Sequence, residues 1–232
     1  MKHVIPTPAI TSIPVAGSDG ESFPVRRIYC VGRNYAEHAQ EMGFTGREPP
    51  FFFMKPADAV VPVTAGETAS MTYPTMTSNL HHEVELVVAI GKQGSRIPAA
   101  DAANHIWGYA VGLDMTRRDL QGDMKKQGRP WSIGKAFDQS APVGELHAKT
   151  STGELLKGEI TLSVNGVLKQ AGDLSDLIWS VNETIEQLSA AWTLQPGDLI
   201  FTGTPAGVGP VVRGDVLEGR IAGLSTLRVA IS

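Results

Sequence analysis

The run His81-His82-Glu83-Val84-Glu85-Leu86-Val87-Val88-Ala89-Ile90 reads as a buried β-strand. It is short, aliphatic after its first half and rich in valine, the composition that suits a pleated, packed surface. Side chains two apart on a strand share a face. Glu83 and Glu85 therefore point one way, and Val84, Leu86 and Val88 the other. If both carboxylates are buried, at least one has a raised pKa unless something positive compensates. A divalent cation is the strongest compensation available. Taken alone, the Glu-x-Glu spacing fits an exposed strand edge equally well.

Further strand-like runs lie at 51–55, 107–114, 159–164, 198–202 and 227–231, and helical spacing is present at 115–127 and 174–191. In the second helix Leu177, Ile178, Val181, Ile185 and Leu188 mark an apolar face, starting near Ser175 or Ser180. The 25 glycines and 15 prolines are spread along the chain as punctuation between short strands. Strands outnumber helices without βαβ alternation, so the fold class is a β-rich α+β rather than a Rossmann sheet. In residues 1–24, Pro6, Pro8, Pro14 and Pro24 exclude a helix. Ser18-Asp19-Gly20 supplies a turn there, so this segment reads as an N-terminal extension or hairpin ahead of one domain over 25–232.

With 232 residues, 42% hydrophobic and 19% charged, the composition is that of a globular protein. No apolar run approaches the roughly 18–20 residues that span a bilayer, and the first ten residues lack a signal-peptide core. The expectation is a cytoplasmic protein with no membrane partner. The single cysteine, Cys30, permits no internal disulfide and reads as a buried structural thiol. The net charge of −4, with no basic stripe, argues against nucleic acid as a partner.

A third acid, Asp114, ends the strand at 107–114. Three oxygen ligands without cysteine favour Mg2+ or Mn2+ over zinc; His81 and His82 have no second pair at zinc-ligand spacing. If the following helix begins directly after Asp114, then Asp114, Arg118 and Gln121 share its face. The arginine fork there suits a carboxylate, although Arg118 would pair equally well with a surface acid. Lys135 sits among Trp131, Ile133 and Phe137. It is either a desolvated donor to a developing oxyanion or a side chain that snorkels to solvent. His38 and Glu41 are i, i+3 on a short helix expected at 34–42 and capped by Asn34. They form either a general-base pair or an exposed surface pair. The glycine-rich stretch Thr202-Gly203-Thr204-Pro205-Ala206-Gly207-Val208-Gly209 reads as an anion-holding loop or a structural turn. It lacks the Gly-Lys-Ser/Thr ending of a P-loop.

Taken in order, several motifs resemble the fumarylacetoacetate hydrolase family. They are Gly32-Arg33-Asn34-Tyr35-Ala36-Glu37-His38, Phe53-Met54-Lys55-Pro56, His82-Glu83-Val84-Glu85-Leu86, Gly108-Tyr109, the run Asp114-Met115-Thr116-Arg117-Arg118-Asp119-Leu120-Gln121, Gly134-Lys135-Ala136-Phe137-Asp138 and the 202–209 loop. The resemblance covers nearly everything from residue 25 onward. It implies a mixed β-sandwich or roll of the family's C-terminal catalytic type, in a homodimer. It also implies Glu83, Glu85 and Asp114 as ligands of Mg2+ or Mn2+. His38 and Glu41 become a water-activating dyad, and Lys135 a catalytic donor. Arg118, Gln121, Thr204 and Gly203 bind substrate. Larger members add a fourth acidic ligand upstream; the stretch 28–33 offers none, so water is expected in that place.

The reaction so implied is metal-dependent hydrolysis of a carbon–carbon bond in a small 2,4-dioxo acid. Within the family the similarity is greatest to the bacterial branch that opens fumarylpyruvate to fumarate and pyruvate in gentisate breakdown. General acylpyruvate hydrolysis or oxaloacetate decarboxylation is the alternative, and a decarboxylase or isomerase of aromatic catabolism comes third. From a different class, a non-catalytic metal-binding protein would lack at least one of His38, Glu41 and Lys135, all of which are present.

Overall fold

A computed structural model describes residues 3–35 and 47–232. The short helix expected at 34–42, with His38 and Glu41, lies outside the described residues from position 36 onward.

The centre of the fold is a mixed eight-stranded sheet. Its order is Phe51–Lys55, Arg27–Gly32, Asp198–Phe201, Val84–Ile90, Ile106–Leu113, Ala141–Val143, Val60–Pro62, with His147–Ala148 also paired on Ile106–Leu113. Val84–Ile90 is the middle of this sheet and every one of its residues is buried. Period-two alternation explains how. Val84, Leu86, Val88 and Ile90 belong to one apolar core, and Val87 and Ala89 to another on the opposite face.

The first core lies against a five-stranded sheet ordered Val167–Asp173, Glu159–Val164, Val216–Ile221, Leu227–Ile231, Ala69–Met71, which contributes Ile160, Leu162, Leu217 and Val229. The helix Val181–Ala191 closes the same core with Val181, Ile185 and Leu188. On the other face, Ile28, Cys30, Leu199 and Phe201 meet Ile13 and Phe23 from an antiparallel hairpin, Ser12–Pro14 with Ser22–Pro24. Cys30 is fully buried, as expected, and burial pushes its thiol well up. This is a strand-rich sandwich of curled sheets, in agreement with the expected class. No helix among the described residues is long and apolar enough to cross a membrane.

Two helix boundaries differ from the sequence reading. The helix expected at 115–127 begins only at Arg118 and runs to Lys126. Thr116 and Arg117 pair instead with His81 and Leu80 in a small three-stranded sheet. Asp114 is thus a strand-end residue and not part of a helical stripe with Arg118 and Gln121. The segment expected as one helix at 174–191 is a 3-10 turn, Leu174–Asp176, then a break, then Val181–Ala191. Ser180 caps the second piece in a reciprocal box with Glu183. Asn34 also differs: its side chain donates to Thr202 O (2.7 Å) and Trp179 O (2.9 Å) and accepts from Trp179 N (2.7 Å), tying two loops together.

Leu86 is fully buried between the sheets, one residue from Glu85. Leu86→Ala is expected to cost about 2–5 kcal/mol. In urea denaturation this appears as a lower midpoint at unchanged slope; an unchanged midpoint would contradict the packing described.

Candidate metal centre and active site

The strand ladder itself brings the acids together. Val84 pairs with Leu113, and one step further the Asp114 N–H donates to Glu83 O at 2.8 Å. Glu83 and Asp114 are therefore cross-strand neighbours, and Glu85 follows Glu83 on the same face. All three are buried, and one carboxylate oxygen from each lies within 4.8 Å of the others. Like charges on adjacent strands repel, and at this depth water does little to screen them.

Cations answer part of that repulsion. Lys135 ends the short helix Ser132–Lys135 and places Nζ 2.7 Å from Glu83 Oε2 and 2.6 Å from Asp114 Oδ2. The helix reaches that close because Gly134 has no Cβ; one would lie 2.8 Å from the Gln121 nitrogen. Lys135 is 2% exposed, so it does not snorkel to solvent. Burial works against its charged form, but Asp114 and Glu83 outweigh that and hold its pKa above the usual value. Arg118, on the helix Arg118–Lys126, pairs with Glu83 and donates to Gln121 Oε1 at 2.6 Å.

Lys55 is a third cation, to which sequence reasoning assigned no role. It ends the strand Phe51–Lys55, 2% exposed, with Nζ 2.9 Å from Asp114 Oδ1 and bonds to the carbonyls of Met115 and Lys135. Beyond its place in the Phe53-Met54-Lys55-Pro56 motif, a lysine closing an aromatic strand was the available signal.

Glu85 has a different environment. It accepts the Gly203 N–H at 2.7 Å. Burial, then Asp114 and Glu83, push its carboxyl well above the usual carboxylate range. Such a group gains from a further positive charge, and a hard divalent cation fits this all-oxygen set. Gly203 is the residue that permits the contact: its φ of 104° favours glycine, and a Cβ would lie 2.7 Å from that of Asn34. The Gly203 amide thus orients a ligand candidate, while Thr204 beside it lines the same pocket as Arg118, Gln121 and Lys135.

Gln170, which the sequence reading passed over, is fully buried and joins the loop to the strand. Its Oε1 accepts the Val84 N–H (3.1 Å) and lies 2.9 Å from His82 Nδ1. Its Nε2 donates to Thr204 Oγ1 and Pro205 O, both at 2.8 Å. His82 therefore faces Gln170. Burial lowers the pKa of His82, and burial with the nearby Arg118 brings His81 down to about 4, so both are neutral near pH 7.

Residues 27–232 match the fumarylacetoacetate hydrolase C-terminal family. The chain superposes on the crystal structure of fumarylpyruvate hydrolase from Pseudomonas aeruginosa, in complex with Mn2+ and pyruvate, with a TM-score of 0.97 and 57% identity over 99% of both chains. It is 43% identical to the mitochondrial oxaloacetate tautomerase FAHD1 of Mus musculus over 206 residues, 89% of this chain and 91% of that protein. It is 41% identical to the mitochondrial oxaloacetate decarboxylase of Dictyostelium discoideum over 201 residues, 87% and 91% of the two chains.

Two outcomes are expected. Because the folded-state pKa of Glu85 lies above its usual 4.5, its favourable contribution is present below that value and lost as pH rises through the folded value. Without metal, wild type should lose Tm relative to Glu85→Gln as pH rises above about 5. Mn2+ at a hundredfold excess over its Kd should restore about 2.7 kcal/mol, a rise of about 5–10 °C for a chain of this length, in wild type but not in E85Q. Equal Mn2+ shifts in both would remove Glu85 from the centre. Separately, Gln170→Leu strands the Val84 N–H and frees Thr204. The expected loss is about 1–3 kcal/mol in urea denaturation; an unchanged midpoint would show that the Gln170 bonds contribute nothing net.

Proposed function

Because the chain belongs to the fumarylacetoacetate hydrolase family, we propose that it hydrolyses the C3–C4 bond of fumarylpyruvate, releasing fumarate and pyruvate. The observation that carries this reading is the buried Glu83–Glu85–Asp114 cluster with Lys135 against two of its carboxylates. The whole-chain likeness to a fumarylpyruvate hydrolase selects the substrate.

A divalent cation held by Glu83, Glu85 and Asp114 would supply Lewis acidity at the carboxylate and 2-oxo oxygens of a pyruvyl group. The chain's own groups do the rest. Arg118 and Gln121 bind the pyruvyl carboxylate, helped by Thr204 and Gly203, which line the same pocket. His38, oriented by Glu41, takes a proton from water, and the hydroxide so formed adds to the C4 carbonyl. The C3–C4 bond then breaks, its electron pair passes to C3, and the resulting enolate is stabilised by the Lys135 ammonium. Protonation at C3 gives pyruvate, and C4 leaves as the carboxylate of fumarate. A cytoplasmic homodimer acting in gentisate breakdown completes this reading.

A second reading has its own support in the oxaloacetate-specific relatives. Decarboxylation or tautomerisation of oxaloacetate uses the same enolate stabilisation without activating water.

The test supplies fumarylpyruvate, acetylpyruvate and oxaloacetate to the purified protein with Mg2+, Mn2+ or a chelator, measuring pyruvate and fumarate separately. Metal-dependent release of both products from fumarylpyruvate, abolished by His38→Ala, is expected. Lys135→Met should lower kcat by about 100–1000-fold, the usual worth of one oxyanion donor. A preference for oxaloacetate that survives H38A would move the function to the second reading.

A further inference from the structure

Gln170 is a fully buried amide on the edge strand of the second sheet, and both its oxygen and its nitrogen have two partners. Two of those partners are main-chain groups whose roles chemistry fixes. The Val84 N–H can only donate, so the atom it meets at 3.1 Å is the amide oxygen. The Pro205 carbonyl can only accept, so the atom 2.8 Å from it is the amide nitrogen. The orientation of the amide is thereby settled without its other two neighbours.

Those neighbours take their polarity from it. An amide oxygen holds no proton, so His82 carries one on Nδ1, 2.9 Å away, whether its ring is neutral or charged. An amide nitrogen only donates, so Thr204 Oγ1 accepts at 2.8 Å. The single hydroxyl proton of Thr204 must then point away from Gln170, and no acceptor among the described residues meets it. Thr204 is 3% exposed and lines the pocket of about 20 Å3 beside the three carboxylates, with Arg118, Gln121 and Lys135. A cavity of about 520 Å3 adjoins this pocket and shares Phe53 and Trp131 as walls. The loop bearing Thr204 comes close enough to the strand of Gln170 because Gly207 has no side chain; a Cβ there would lie 2.1 Å from the Lys169 carbonyl oxygen.

We propose that Gln170 is a positioning residue for the substrate: it holds the Thr204 hydroxyl as a donor into the metal pocket, where that hydroxyl meets a carboxylate oxygen. His82 holds Gln170 in turn. Donation runs one way throughout, from His82 Nδ1 to Gln170, from Gln170 to Thr204, and from Thr204 to the anion, so each bond polarises the next toward the negative charge. A hydroxyl so held favours a group that only accepts. The identity of that group as the pyruvyl carboxylate rests on the dioxo-acid reading above.

A double-mutant cycle on the Mg2+-loaded protein, run well below the Tm of every variant, tests the relay. Thr204→Val should raise KM for fumarylpyruvate about 10–100-fold, the worth of a hydrogen bond to a charged group. Gln170→Leu keeps the hydroxyl but frees its proton for the Pro205 carbonyl, which has lost its donor. Its KM should rise about 3–10-fold with kcat within about threefold of wild type. Added to T204V, the same substitution should change KM by no more than about twofold. An equal rise in both backgrounds would mean that Gln170 acts through packing alone and would overturn the proposal, as would an unchanged KM in Q170L. Should wild type cleave no dioxo acid, the dioxo-acid reading fails, and the cycle is read in the calorimetric Kd of pyruvate for the Mn2+-loaded protein. The same pattern there supports the relay; equal binding by wild type and T204V overturns it. Should Q170L not fold, the His82 ring decides, observed in nitrogen–proton correlation spectra and assigned by its loss in His82→Asn. A proton on Nδ1, together with the T204V loss, supports the relay, and a ring protonated on Nε2 alone overturns it.

Discussion

Three carboxylates are buried within 4.8 Å of one another at the ends of two adjacent strands, and the surrounding structure has to make that arrangement tolerable. Charges of one sign at this separation, away from water, repel by several kcal/mol even at an effective dielectric near 20. Lys55, Lys135 and Arg118 offset Glu83 and Asp114 directly. Glu85 sits against a backbone amide, and burial, with its two acidic neighbours, pushes its carboxyl well above the ordinary carboxylate range. The centre is therefore balanced by side chains at two of its acids and left wanting positive charge at the third.

The fold serves this constraint by rigidity. Val84–Ile90 is covered on both faces, so neither Glu85 nor the turn into Glu83 can relax outward without exposing one of the two cores. The cations are fixed by equally specific means. Lys55 is held through main-chain carbonyls, Lys135 by a helix that only Gly134 lets approach Gln121, and Arg118 through Gln121. Gln170 reaches in from the second sheet and locks the loop bearing Thr204 to the strand bearing the acids. Each of the two sheets thus contributes something the site cannot do without, which ties catalytic geometry to the packing between them.

Legibility in the sequence followed the range of the interaction. Glu83 and Glu85 were readable because strand periodicity is local, and Asp114 because it closes a recognisable strand. The apolar face of Val181, Ile185 and Leu188 was readable for the same reason, although the break before Ser180 was not. Lys55 was not: in Phe51-Phe52-Phe53-Met54-Lys55 a terminal lysine looks like an edge residue, and its carboxylate partner is brought to it only by the sheet order. Gln170 looks like a surface residue in Val167–Asp173 until the second sheet is laid on the first. The helical stripe from Asp114 to Gln121 failed for a related reason. Nothing local announces that Thr116 and Arg117 pair with Leu80 and His81, and that pairing delays the helix to Arg118.

The relatives include an enzyme that cleaves a dioxo acid and others that act on oxaloacetate, and the geometry indicates where such reactions part company. On the two readings proposed above, either reaction would place negative charge on a pyruvyl-type enolate, and the corner formed by Glu83, Glu85, Asp114 and Lys135 would suit that charge whichever bond is broken. The pyruvyl end of the substrate therefore cannot discriminate between the reactions. Discrimination falls to what faces the other carbon of the scissile bond: a base that activates water, and a cavity that accepts or refuses a long acyl arm. Oxaloacetate has four carbons and its second carboxylate stands one carbon from the enolate. It would fill little of the roughly 520 Å3 between Phe51, Trp131 and Arg129. The seven-carbon fumarylpyruvate would use that space. On the proposed reading, the size of this outer cavity, more than the metal corner, separates the longer substrate from oxaloacetate.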